Sequence, residues 1–260
     1  MRTATSAVET KRSILATEVS IGLDSVALRG TLTIPKGATG IVLFVHGSGS
    51  SRHSPRNQFV AEALQSAGLA TLLFDLLTPA EESVDRRTAT YRFDIELLTK
   101  RLIGATAWAL RNPVTRNLRI GYFGASTGAA AALAAAAELR ETVCAVVARG
   151  GRPDLAGPDL GLVRAPTLLI VGGSDEVVLE LNRQTLAELF SCKKELVVVP
   201  RAAHLFEEPG ALQEAAKTAA AWFRLYLSPV EADEDKQPQS DDCPENMAAK
   251  LFDEQRHVPR

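Results

Sequence analysis

The sequence predicts an α/β fold: a mostly parallel sheet of about eight strands with helices on both faces. Two observations carry this. Short, wholly apolar runs such as Ile41 to Val45 and Thr167 to Val171 have the length and composition of strands buried on both sides. Between them lie longer segments, such as Phe93 to Leu110, whose apolar residues recur every three or four positions as on one face of a helix. Regular alternation of the two is the pattern of a parallel sheet linked by crossover helices. With 46% hydrophobic and 23% charged residues among 260, the chain can bury a substantial core and is not disordered throughout.

The elements follow in order. Val19 to Leu23 and Val26 to Ile34 read as an antiparallel hairpin turned at Asp24 and Ser25. Ile41 to Val45 is a buried strand ending before Gly47, and Phe59 to Ala67 has helical spacing and stops at Gly68. Leu69 to Phe74 is the next strand, and Leu76 to Tyr91 reads as a loop. A long amphipathic helix spans Phe93 to Leu110 and stops before Pro113. Leu118 to Phe123 is a strand that passes through Gly124 into an alanine-rich helix from Thr127 to Leu139. Val143 to Val147, Thr167 to Val171 and Leu196 to Val199 are further strands, with helices at Val178 to Phe190 and Leu212 to Tyr226. Arg149 to Ala165 is short and rich in glycine and proline, leaving no room for a helical cap, so an open site is expected.

This division makes residues 1–14 a flexible extension, 15–227 the folded domain and 228–260 an acidic tail. From Ser228 to Pro244 there is too little apolar surface to offset the entropy of ordering, so disorder is expected there. A net charge of -2 with Lys and Arg scattered among the acids argues against a nucleic-acid partner. Cys144, Cys192 and Cys243 show no metal or disulfide spacing and read as free thiols. Met1 to Arg12 lacks a secretory apolar core, and no run is long enough to span a membrane. A cytoplasmic protein without a membrane partner is expected.

The strongest chemical signal is Gly124-Ala125-Ser126-Thr127-Gly128, a G-x-S-x-G segment lying between a strand and a helix. A serine can be held in a tight, strained turn there only if the residues two positions away on either side are small. Ser126 is therefore the candidate nucleophile, and an alcohol needs a base and an orienting acid. Of four histidines, His257 lies in the tail, His53 sits in a polar loop beside Arg52 and Arg56, and His46 in a glycine turn reads as shaping its loop. His204, in the loop between the last strand and the last helix, is the candidate base. Asp175, in Gly172-Gly173-Ser174-Asp175 after a strand end, is the candidate acid. Glu176 is its rival, and Asp75 and Asp94 are weaker candidates. For the oxyanion hole, the Thr127 N–H and a donor from the loop His46-Gly47-Ser48-Gly49, chosen as Ser48, are the expected donors. That loop lacks the Gly-Lys-Ser/Thr ending of a phosphate-binding P-loop.

These residues resemble the α/β-hydrolases, and most of all the dienelactone hydrolase-related group, over about residues 15 to 227. The likeness rests on His46-Gly47-x-Gly49, the turn at Ser126, Asp175 in Gly-Gly-Ser-Asp and His204, in the order Ser, Asp, His. It implies hydrolysis of a carboxylic ester or lactone, with no metal or organic cofactor. Dienelactone hydrolases proper carry a cysteine nucleophile where this chain has Ser126, so the resemblance does not extend to the dienelactone substrate. The expected partner is a small-molecule ester, lactone or thioester. Thioesterase or acyltransferase action on the same triad, and a non-catalytic ligand-binding relative, remain the alternatives.

Overall fold

A computed structural model describes residues 16–229. The described chain begins with a hairpin, β1 (Ala16–Gly22) and β2 (Ala27–Thr33), and continues with β3 (Gly40–Val45), α1 (Pro55–Ser66), β4 (Ala70–Phe74) and α2 (Pro79–Thr88). Next come α3 (Ile95–Arg111), β5 (Arg119–Ala125), α4 (Gly128–Glu138) and β6 (Val143–Arg149). A 3₁₀ segment (Pro153–Leu162) leads to β7 (Thr167–Gly172), α5 (Glu176–Glu188), β8 (Lys194–Val199) and α6 (Ala211–Leu227). The eight strands form one sheet in the order β1-β2-β4-β3-β5-β6-β7-β8. The two pairings that involve β2 are antiparallel, and all pairings from β4 through β8 are parallel. This is the α/β-hydrolase architecture, with no large cap domain among the described residues.

The central strands carry apolar residues on both faces because both are covered. On β3, Ile41, Leu43 and Val45 enter the core beneath α3 and α4, while Val42 and Phe44 enter the opposite core beneath α1 and α6. Alanines make α4 thin enough to lie close to the sheet, and Ala129 to Ala137 are all buried. Tyr122 on β5 is wholly buried and its hydroxyl hydrogen-bonds Thr106 Oγ1 of α3 at 2.6 Å, satisfying a polar atom that burial would otherwise penalise.

Two local expectations need correction. The stretch Leu76 to Tyr91 is not a loop throughout, because Thr78 caps α2 in a capping box with Glu81 and Pro79 occupies the first turn. Such a cap contributes about 0.5–2 kcal/mol, enough to hold a short, charged helix with few apolar residues. Likewise α1 begins at Pro55 rather than near Phe59, since Ser54 caps it by accepting from the Asn57 N–H. The N-terminal extension and the tail from residue 230 onward, including Cys243 and His257, lie outside the described residues. Cys144 and Cys192 are free thiols. Among the described residues no helix is long and apolar enough to cross a membrane.

Candidate active site

Parallel strands bring their C-terminal ends to one rim, so residues distant in the chain share one edge of the sheet. Ser126 follows β5, Asp175 follows β7 and His204 lies in the loop after β8. Ser126 adopts φ 52, a left-handed backbone that a side chain rarely takes. It is held there by three backbone bonds: its N–H donates to Arg149 O, and its carbonyl accepts from the N–H groups of Ala129 and Arg152. The flanking glycines are a steric requirement. A Cβ on Gly124 would lie 2.6 Å from Ala129 Cα, and one on Gly128 would lie 2.1 Å from Val45 O.

The aspartate and histidine loops are tied together before their side chains meet. Ser174 N–H donates to Ala202 O at 2.9 Å and Gly173 N–H to Val199 O at 2.8 Å. Glu208 Oε1 accepts from Ala203 N–H at 3.0 Å and closes the histidine loop from its far side. The result is a 2.7 Å hydrogen bond between His204 Nδ1 and Asp175 Oδ2. Glu176, the rival acid, is exposed in the first turn of α5. Ser126 and His204 line one cavity of about 240 Å³, together with Gly47, Ser48, Arg56, Asn57 and Arg149. The serine hydroxyl and the imidazole share this cavity without a direct hydrogen bond between them.

The expected oxyanion donors differ in state. The Thr127 N–H stands at the start of α4, where the helix itself supplies no acceptor. The Ser48 N–H instead donates to Thr127 Oγ1 at 2.9 Å, so the resting structure commits that amide to a neighbouring hydroxyl. His46 shapes its loop as expected: Nε2 accepts from the Leu76 N–H at 3.1 Å and Nδ1 bonds Gly47 O at 3.0 Å. Burial pushes the His46 pKa below its usual value, which favours the neutral ring that this pair of bonds requires.

The other acids have structural partners. Asp75 accepts from the backbone and guanidinium of Arg52, and Asp94 caps α3 through the Leu97 N–H. Asp85 is buried and binds the N–H groups of Tyr91 and Arg92 and the Arg92 side chain, while Glu81 pairs with Arg101. A larger cavity of about 430 Å³ lies beside the site, between the residue 46–53 loop and α2, and holds neither Ser126 nor His204. Residue-by-residue reading of the sequence passed over Arg149, whose one available signal is a charge at the end of an otherwise apolar strand. Among the described residues no group of three or more His, Cys, Asp or Glu side chains could hold a metal ion.

Comparison with known proteins bears on the fold and the family. A solved dienelactone hydrolase from Anabaena variabilis is 61% identical, covers 82% of this chain and 99% of its own, and superposes with a TM-score of 0.81. Est1E from Butyrivibrio proteoclasticus, 16% identical over 81% of this chain and 98% of its own with a TM-score of 0.67, shares the fold. Two Mycobacterium tuberculosis proteins named "Putative phosphoribosyl transferase" are 60% identical over 210 residues, 81% of this chain. The match takes in 46% of their length, so the chain spans about half of the curated relatives it matches. The profile of the dienelactone hydrolase family matches residues 28–227, and the chain belongs to that family.

Proposed function

We propose that the protein is a serine hydrolase that cleaves a small carboxylic ester or lactone through an acyl-enzyme on Ser126. The single observation that carries this reading is the 2.7 Å Asp175–His204 bond at the cavity onto which strained Ser126 opens. With Nδ1–H donated to Asp175, Nε2 of His204 is the nitrogen left to accept a proton. It takes the proton from Ser126 Oγ as that oxygen attacks the substrate carbonyl, and Asp175 stabilises the imidazolium formed. The tetrahedral oxyanion is met by the Thr127 N–H at the start of α4. Ser48 supplies the second donor once the Thr127 hydroxyl rotates off its amide. His204 then protonates the leaving alcohol as the carbon–oxygen bond breaks, and water, activated by the same imidazole, releases the acid.

Ser126→Ala is expected to abolish turnover of p-nitrophenyl acetate and labelling by a fluorophosphonate probe. Undiminished labelling of that variant would remove the assignment. Ligand binding without turnover across a panel of acyl esters would favour a non-catalytic relative, and faster turnover of thioesters than of oxygen esters would favour a thioesterase.

A further inference from the structure

Arg149 is 7% exposed, at the C-terminal end of β6, in the wall of the cavity that holds Ser126 and His204. Its guanidinium makes one long hydrogen bond, from Nη2 to Asn57 Oδ1 at 3.4 Å, and Nε and Nη1 have no acceptor. It faces Phe123 at 5.9 Å and Phe206 at 5.8 Å, contacts that partly compensate a cation but give it no countercharge. Among the described residues no carboxylate is within ion-pair distance of it, and the charge that acts on it is Arg56, of the same sign. Burial together with Arg56 lowers its pKa to about 10, so the group stays charged at neutral pH.

A buried cation without a partner is costly, and native proteins leave few such groups. The neighbouring larger cavity shows the contrast, since there Arg52 is paired with Asp75 and Arg86 with Glu82. Around Arg149 the surroundings add positive potential. The first turn of α1, with Ser54, Arg56 and Asn57, lines the same cavity and brings the positive end of the helix dipole to it, with the Asn57 N–H already capped by Ser54 Oγ. Among the described residues Arg56 is engaged only by Glu207, at 3.3 Å, where the acid is largely exposed and solvent screens the pair.

We propose that Arg149, Arg56 and the first turn of α1 form an anion subsite beside the nucleophile, so that the preferred ester carries a carboxylate or phosphate group at that end. This rests on the hydrolase reading of the same cavity and narrows it to a substrate class. The anion supplies the countercharge that the fold withholds from Arg149, and its docking orients the ester carbonyl towards Ser126.

The test compares p-nitrophenyl acetate with the hemi-ester p-nitrophenyl hydrogen succinate, with succinate and inorganic phosphate as competitors. The wild type is expected to favour the anionic ester in kcat/KM by about tenfold or more, as the loss or gain of a charged hydrogen bond implies. Arg149→Gln is expected to collapse that ratio, and whichever of succinate and phosphate competes more strongly identifies the anion. Arg56→Gln, a change at the cavity mouth, should weaken the preference in the same direction and serves where Arg149→Gln does not fold. A role for Arg149 confined to folding or to the oxyanion would lower both rates alike and leave the ratio intact, overturning the proposal. So would a wild type with no preference that neither anion inhibits. If no ester is turned over and Ser126 is not labelled, the hydrolase reading fails on its own. Calorimetry with succinate and phosphate on the full chain, wild type against Arg149→Gln, then decides the subsite separately: equal or absent binding overturns it.

Discussion

Replacing Gly128 by alanine puts the geometry of the nucleophile turn to a quantitative test. The added Cβ would lie 2.1 Å from Val45 O and 2.7 Å from His46 O, whereas real Cβ atoms essentially never come closer than 3.0 Å. Both obstacles are backbone atoms at the end of β3, unable to rotate away, so the start of α4 must retreat by nearly the whole shortfall of about 0.9 Å. Ser126 and the Thr127 N–H move with that turn, while Asp175 and His204 stay anchored to the loops of β7 and β8. A misplacement near 1 Å costs on the order of 10²-fold in rate, and overpacking costs about 1–3 kcal/mol of stability. The measurement is kcat for p-nitrophenyl acetate beside a thermal melt. Gly22→Ala serves as the control, because nothing lies within 4 Å of a Cβ at that position. A folded Gly128→Ala protein with wild-type kcat would refute the claim that this glycine is required by close approach.

Two further outcomes follow from the same site. Asp175→Asn keeps the size of the side chain but turns a donor towards Nδ1, which holds the imidazole in the wrong tautomer; kcat should fall roughly 10⁴-fold with little change in Tm, and a variant retaining a tenth of the activity would contradict the orienting role. His46 has its folded pKa below the ordinary 6.5, through burial, so the unfolded chain takes up that proton first. Its contribution leaves stability unchanged above about pH 6.5 and lowers it as the pH falls from there through the folded value. Urea melts from about pH 7.5 to 5 should show a shallower slope for His46→Gln, and an identical slope would place the titration elsewhere.

Much of the fold was legible because it is written in local periodicity. The strands read as β3, β5 and β7 were apolar on both faces, and they are the covered centre of the sheet. The miss at α2 was also local. Thr78-Pro79-x-Glu81 is a helix-start signature, but the segment has few apolar residues, and weight placed on hydrophobic spacing hid the cap. Within the candidate site, Ser126, Asp175 and His204 could each be singled out as candidates from their places after strands, and the structure brings them to one rim. The engagement of the Ser48 N–H was not, since its acceptor lies 79 residues away.

The chain alone therefore determined the order of elements, the strained turn at Ser126 and the candidates for its partners, because sterics and spacing act within a few residues. Tertiary structure decided which of the competing acids meets His204, which amide remains a free donor and which cation is left without a countercharge. These are pairings between loops that only the strand order brings to one rim. Asp175 and His204 are 29 residues apart, and Arg149 and Asn57 are 92 apart. Electrostatic environment is a property of neighbours in space, and no local pattern encodes it.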